Sequence, residues 1–353
     1  MKSEPATRFL LRLPEVFAPH AREALALLEA ETPTPLTGGW FITKLANAGA
    51  LSGNEAVLFI PWRLPLEHSW PCNPEKTEAF IEKAAQSLAK KFAPRNPQAV
   101  LVGPLDAGPQ NRYYKSLASN LRGRALQLFP KLPAGSADEQ NPALPSLFCL
   151  VGKEGLFAGI STPREANGFH PGGIKFIKQS GGAMISRAGA KIAEALHWLR
   201  LYTDPPPPGA HWLELGASPG GMTGELLQRQ YRVTAVDRAP LDVRLRRAEG
   251  LTFIPADAAD FRPPPALRYD ALLCDLNGDA RQSLRAVIRL GTSLNTGGLI
   301  VFTLKTPGAE SPDAILDLCR RIETEARGSG LTLVAKTHLT HNRQEFTLCW
   351  RRV

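Results

Sequence analysis

The run His211 to Gly221, HWLELGASPGG, constrains this chain more than any other feature: a short apolar strand passes directly into a glycine-rich turn. A turn of this kind lets the backbone approach a ligand where a Cβ would clash, and the helix start behind it offers unpaired N–H groups. A second apolar run, Tyr231 to Val236, ends on Asp237. That is about 20 residues past the glycines, the distance at which a carboxylate meets a ribose diol. A third run, Leu251 to Pro255, is followed by Asp257, placed to accept a hydrogen bond from an adenine amino group. Alone, either aspartate reads as an ordinary turn or cap residue. Three successive strand ends that each carry a suitable group point instead to an adenosyl ligand. The order G-A-S-P-G-G lacks the G-x-G-x-x-G spacing that sets a helix N-terminus under a pyrophosphate, which disfavours a nicotinamide dinucleotide. S-adenosyl-L-methionine is therefore the expected cofactor, held by Gly216, Ala217, Ser218, Pro219, Gly220, Gly221, Asp237 and Asp257.

With 353 residues the chain is long enough for two domains, each with its own core. No apolar run approaches the roughly 18 residues of a membrane span, so no membrane partner is expected. The opening MKSEPATRFLLRLPEV is broken by Arg12 and Pro14 and makes a poor signal peptide, so a cytoplasmic location is expected. The cysteines Cys72, Cys149, Cys274, Cys319 and Cys349 are scattered and lack C-x-x-C spacing, which argues against disulfides or structural zinc. Cys274, beside Asp275 at a strand end, reads as a small core residue in preference to a nucleophile. A net charge of +9 favours an anionic partner, without specifying one.

Before the glycine turn the pattern is α+β. RFLLRL (Arg8 to Leu13), WFITKLA (Trp40 to Ala46) and EAVLFIP (Glu55 to Pro61) read as strands, and His20 to Glu31 as a helix. Glu75 to Phe92 has the 3.6-residue apolar period of an amphipathic helix. Strands are expected at Ala99 to Leu105, Leu147 to Gly152 and Gly155 to Ser161, with a helix from Asn111 to Phe129. Lys90, Lys91, Arg95, Arg112, Lys115, Arg122, Arg124 and Lys131 cluster here with Tyr113 and Tyr114, a mixture that can grip phosphates and stack bases or equally form a solvated helix face. The Gly- and Pro-rich stretch after Thr162, with Arg164, His170, Lys175 and Lys178, reads as an interdomain crossing. Beyond the proline run Thr203 to Gly209, strand–helix alternation ends in a hairpin from Leu331 to Arg352, as in a doubly wound sheet with one antiparallel strand. The expected domains are 1–62, an N-terminal α+β subdomain; 63–161, a second α+β module; 162–185, a linker; and 186–353, a Rossmann-like α/β domain.

LELGASPGG, CDLNG (Cys274 to Gly278), FTLK (Phe302 to Lys305) and SRAGAK (Ser186 to Lys191) together resemble the RNA ribose 2'-O-methyltransferases of the FtsJ type. FAGISTPREANGFHPGGIKFI (Phe157 to Ile177) is similar to the larger two-part enzymes, the RlmM family, which methylate a cytidine ribose of bacterial 23S ribosomal RNA. The resemblance covers residues 145–353 well and the N-terminal part loosely. It implies a catalytic tetrad of Lys191, Asp275, Lys305 and Glu345, and adds Ser186 and Asp275 to the cofactor contacts. Lys305 would accept the hydroxyl proton, Asp275 would orient it and offset a sulfonium charge, and Lys191 and Glu345 would position the hydroxyl. Family order implies a THUMP-like module in the 63–161 region, a 23S rRNA partner before or during subunit assembly, a monomer, and no metal. Met222 stands where relatives often carry tryptophan. His338 and His341, near Glu345, could contact RNA or serve an ordinary loop. Base methylation and a non-catalytic RNA-binding assembly factor are the competing readings. An exocyclic amine methyltransferase would show an Asn/Asp-Pro-Pro-aromatic turn where this chain has DLNG.

Overall fold

The computed structural model describes residues 7–46, 48–72, 76–106, 108, 111–173 and 185–353. The chain divides into two compact units, Met1–Lys175 and Phe176–Val353.

The first unit holds two sheets. One runs β2-β3-β1-β4, from β1 (Thr7–Arg12), β2 (Glu31–Pro35), β3 (Trp40–Leu45) and β4 (Trp62–Pro65), with α1 (Ala21–Leu27) after β1. The other runs β5-β8-β7-β6, from β5 (His68–Trp70), β6 (Val100–Pro104), β7 (Ser146–Gly152) and β8 (Gly155–Ser161). Helices α2 (Thr77–Phe92) and α3 (Arg112–Leu128) contribute Ala84, Leu88, Phe92, Leu121 and Ala125 to a core shared with Leu147, Cys149 and Leu156. EAVLFIP is not a strand. Glu55–Phe59 is a 3-10 helix, started by Asn54, whose side chain accepts the Ala56 N–H at 2.9 Å. Burial of Ala56, Leu58 and Phe59 satisfies the apolar run without extension, and the strand falls after it, at β4. A boundary at 62/63 would cut that strand. The stretch after Thr162 begins inside the first unit: a capping box opens the short α4 (Pro163–Ala166), and Asn167 Nδ2 donates to the Pro61 carbonyl at 2.9 Å. Residues 174–184 of the expected crossing, with Lys175 and Lys178, lie outside the described residues.

In the second unit, α5 (Ala188–Leu199) precedes a seven-stranded sheet in the order β11-β10-β9-β12-β13-β15-β14. Its strands are β9 (His211–Leu215), β10 (Arg232–Asp237), β11 (Leu251–Pro255), β12 (Tyr269–Cys274), β13 (Leu294–Lys305), β14 (Leu331–Thr337) and β15 (Glu345–Arg352). All neighbours pair in parallel except β15, which is antiparallel to β13 and β14, so the expected doubly wound sheet with one reversed strand is present. Helices α6 (Gly221–Gln228), α7 (Ala280–Gly291) and α8 (Pro312–Gly328) connect the strands. The chain winds outward from β9 to β11, then returns to β12 on the other side of β9. This is the switch point at which open α/β sheets bind ligands, beyond the carboxyl ends of the strands.

Candidate active site

Strand β9 carries the glycine turn to that edge. Gly216 has φ +80°, and a Cβ there would lie 3.0 Å from the Asp275 carbonyl, so the turn can approach the end of β12 only as glycine. Gly221 opens α6 against Ser186, two residues before α5: a Cβ on it would fall 2.0 Å from Ser186 Oγ and 3.1 Å from Ser186 Cβ. The cleft in front of the turn has a volume of about 490 Å³ and is lined by Gly216, Ser218, Asp237, Asp257, Asp275 and Asp279, among others. That volume lies within the range of small-molecule sites, which is about 300–1,000 Å³.

Both nucleoside aspartates line this cleft, and both also hold their own loops. Asp237 accepts the Ser218 N–H at 2.9 Å and the Ala239 N–H at 2.8 Å. Asp257 accepts the Ala259 N–H at 2.8 Å and faces Arg238 at 3.5 Å. The turn role leaves acceptor capacity spare, because each carboxylate has about four acceptor sites and uses one or two of them internally. Of the other expected cofactor residues, Ala217 is buried, Pro219 and Gly220 complete the turn, and Ser186 sits against Gly221.

Lys191, Asp275, Lys305 and Glu345 meet in one closed ring of alternating charge. Lys305 Nζ lies 2.8 Å from Asp275 Oδ1 and 2.9 Å from Glu345 Oε2, while Lys191 Nζ lies 2.6 Å from Glu345 Oε1 and 3.3 Å from Asp275 Oδ2. Their construction follows from the elements. Lys305 ends β13 directly opposite Glu345, which begins the antiparallel β15, so the two are cross-strand neighbours. Asp275 follows β12, the parallel neighbour of β13, and Lys191 descends from α5. All four side chains are between 11% and 18% exposed, so the ring is largely withdrawn from water yet open on one side.

Burial alone would lower the Lys305 pKa, but the Asp275 and Glu345 carboxylates outweigh it and hold the ammonium above the ordinary lysine value. Burial would likewise raise Glu345, and its bonds to Lys191 and Lys305 pull it below the ordinary carboxylate value. Lys305 therefore rests as an ammonium and Glu345 as a carboxylate, directions that competing contributions hide from a sequence.

Two buried acids escaped the sequence reading. Glu214, in the middle of β9 and 1% exposed, accepts the Thr223 hydroxyl at 2.7 Å; burial first, then the neighbouring Asp275 and Asp237, push its pKa up to about 8. The available signal was a lone charge in a strand apolar on both faces, since a central parallel strand buries both. Glu194, three residues after Lys191 on α5, accepts the Thr340 N–H with both oxygens at 2.9 and 3.1 Å, tying the loop before Glu345 to the lysine helix.

Other candidates have structural duties. His338 is buried, with Nε2 2.9 Å from the Arg343 carbonyl, whereas His341 is exposed. Cys274 is fully buried, and desolvation pushes its thiol up to about 12, which removes it as a nucleophile near neutral pH. Met222 is buried where α6 begins. In the first unit the basic cluster is divided: Arg122 donates to the Val100 and Gly135 carbonyls, Arg124 pairs with Glu82, Arg95 with Glu67, and Lys91 with the Glu67 carbonyl. Lys90, Arg112 and Lys131 remain exposed, as does Tyr113, at 48%.

Among the described residues, no helix is long and apolar enough to cross a membrane.

The chain is similar in sequence to known proteins. The chain is 34% identical over 202 residues to ribosomal RNA large subunit methyltransferase M of Halorhodospira halophila, covering 56% of this chain and 54% of that protein. It is 29% identical over 230 residues to the protein of that name from Pseudomonas aeruginosa, covering 61% of each. The chain thus spans about half to three-fifths of the length of these curated relatives. Solved structures are more distant: the fibrillarin pre-rRNA processing protein of Methanococcus jannaschii aligns at 14% identity and TM-score 0.37, over 58% of this chain and 81% of its own. The family of FtsJ-like methyltransferases matches residues 184–301, which take in the glycine turn, Lys191 and Asp275. The residues that match the FtsJ-like methyltransferase family all lie in the second unit.

Proposed function

We propose that the chain methylates a ribose 2'-oxygen, that of a cytidine, in 23S ribosomal RNA, using S-adenosyl-L-methionine. The observation that carries this reading is the closed Lys191–Asp275–Lys305–Glu345 ring, whose Asp275 also lines the cleft. The cleft suits the cofactor: glycine lets the turn come close, and Asp237 and Asp257 keep acceptor capacity toward a nucleoside. When bound, the cofactor supplies a methyl group on a positively charged sulfur.

The residues of the ring supply the remainder of the reaction. A ribose hydroxyl is weakly acidic and must lose its proton as it reacts, to a group within hydrogen-bond reach. Lys305 takes that proton only after releasing its own to solvent, a proton that Asp275 and Glu345 hold in place at rest. Asp275, shared between Lys305 and a cationic ligand in the cleft, binds the lysine less tightly, and Lys191, already on both carboxylates, stays on them once Lys305 is neutral. Glu345 keeps the two lysines in register, and exclusion of water strengthens each of these interactions. We assign the β5-β8-β7-β6 sheet with α2 and α3, the body of the region 63–161, as a THUMP-like module that adds RNA affinity.

The deciding experiment uses the full chain with methyl-labelled cofactor and unmodified 23S rRNA, followed by digestion to nucleosides. The expected product is 2'-O-methylcytidine. Label on a base, or no transfer to any RNA, would overturn the reading.

A further inference from the structure

Between β10 and β11 the chain reads RAPLDVRLRR, Arg238 to Arg247, with four arginines and one aspartate. Asp242 neutralises Arg244 through bonds of 2.8 and 2.7 Å. Arg246 and Arg247 are exposed, and among the described residues neither side chain makes an ion pair or hydrogen bond. Arg238, 81% exposed, has only the 3.5 Å contact with Asp257 at the rim of the cleft.

A run of exposed charge is ordinarily just a solvated surface. This one differs in three respects. First, it is fixed to the cofactor turn: Asp242 N–H donates to the Pro219 carbonyl at 2.9 Å, and Ser218 Oγ donates to the Pro240 carbonyl at 3.0 Å. Leu245, 7% exposed, packs so closely on Gly220 that a Cβ there would fall 2.4 Å from its Cδ1. A ligand meeting these arginines therefore has little loop to order, which removes a usual cost of binding. Second, the sign of the charge changes abruptly. The cleft is lined by Asp237, Asp257, Asp275 and Asp279, with Arg238 as the basic residue among its lining, so a polyanion is repelled from the cleft and attracted to the loop beside it. Third, the loop leaves the same sheet edge as the charged ring, and β10 lies three strand positions from β13. At the usual strand spacing that is about 14 Å, a span of about four stacked nucleotides.

We propose that Arg246 and Arg247, with Arg238, grip the phosphate backbone of the substrate RNA a few nucleotides from the reacting ribose. This rests on the ribose-methylation reading for the identity of the polyanion. A single exposed apolar residue, Val243 at 67%, gives the loop too little to insert into a lipid surface.

The test compares the full chain with its Arg246→Ala/Arg247→Ala variant in binding an unmodified 23S rRNA transcript across a salt series. Each lost phosphate contact should reduce the log–log salt slope by about 1, so the double variant should lose about 2 and bind about tenfold more weakly at moderate salt. Cofactor affinity by calorimetry should be unchanged, KM for RNA should rise with kcat retained, and Arg246→Lys/Arg247→Lys should recover most of the affinity. An unchanged slope and KM in the alanine variant overturns the proposal while leaving ribose methylation intact. A wild-type chain that binds RNA through these arginines yet methylates none defeats the enzymatic reading and leaves this surface standing. Arginine-dependent binding to phosphatidylserine vesicles with an unmoved RNA slope assigns the loop to a membrane and defeats the proposal.

Discussion

Two groups of charge that look equally suggestive in the sequence fare differently in the folded chain. The basic residues from Lys90 to Lys131 are close in sequence, and the fold separates them: Arg122 braces a loop, and Arg124 and Arg95 each take a glutamate. Lys191, Asp275, Lys305 and Glu345 are spread over more than 150 residues, and the fold joins them through contacts of 2.6 to 3.3 Å. Nearness along a chain costs nothing and is common in amphipathic helices, where polar residues face water. Convergence from four elements onto one partly buried spot opposes desolvation at every member, so it persists only where the pairing is complete.

The sharpest way to break this contrast is Lys305→Ala. Turnover should fall by about 10²- to 10⁴-fold, the usual scale of a lost proton acceptor. Cofactor affinity should stay near wild type, because the lysine acts as the hydroxyl reacts. Single-turnover methyl transfer checks both halves, and a near wild-type rate would remove Lys305 from the mechanism. The wild-type pH profile adds the sign: a lysine held above its ordinary value is protonated throughout the neutral range. The kcat/KM for RNA should therefore rise with pH and level off only at alkaline values, whereas a profile flat from neutrality upward contradicts a protonated resting Lys305.

Asp237→Ala and Asp257→Ala should each weaken cofactor binding by about 1 to 3 kcal/mol, the cost of an unmatched donor. Asp237→Ala should also lower Tm, since it releases the Ser218 and Ala239 amides, while Asp257→Ala frees only the Ala259 amide. Calorimetric affinities equal to wild type in both variants would restore the view that these are turn residues alone.

Smaller effects separate the two kinds of charge in the first unit. Replacing Lys90, Arg112 and Lys131 by Gln should flatten the salt dependence of RNA binding with little change in Tm. Arg124→Gln should do the reverse, by a few degrees at most, since exposed pairs contribute little. If Arg124→Gln alone flattens the salt slope, the division made by the structure has no functional meaning.

Glu214→Gln isolates a buried charge with no partner of opposite sign. Its folded pKa of about 8 lies above the ordinary carboxylate value, so between that value and 8 the unfolded chain ionises while the fold keeps its proton. Stability should fall as pH rises through this window. The isosteric variant, which keeps an acceptor for Thr223, should gain Tm over wild type at pH 8 and little at pH 5; an equal difference at both values would refute a protonated Glu214.

What a sequence could disclose here depended on whether residue type and local pattern acted together. The glycine turn, Asp237 and Asp257 sit at the ends of short apolar strands, and such ends meet at one edge of any parallel sheet, so that part of the cleft was legible. Glu55–Phe59 was not: five residues of apolar character suit a strand or a buried turn of helix equally well, and the Asn54 cap decided it. Nor was β2, whose residues are all exposed and carry no alternation. The protonation of Lys305 was hidden for another reason, since it is the balance of two carboxylates against burial at distances only the fold supplies.

The contact between Gly221 and Ser186 makes the cofactor turn a gauge for the catalytic lysine. Ser186 stands two residues before α5, and Lys191 lies five residues further on, about 7 Å along a helix that rises about 1.5 Å per residue. A single added methyl at 221 could be met partly by rotating the serine hydroxyl, but the Ser186 Cβ and carbonyl, at 3.1 and 3.2 Å, cannot turn aside. The helix would then start from a shifted origin, and Lys191 would arrive off its 2.6 Å contact with Glu345. One hydrogen in place of a side chain therefore calibrates two tasks at once, so a defect at 221 should reach methyl transfer even where cofactor loading is complete.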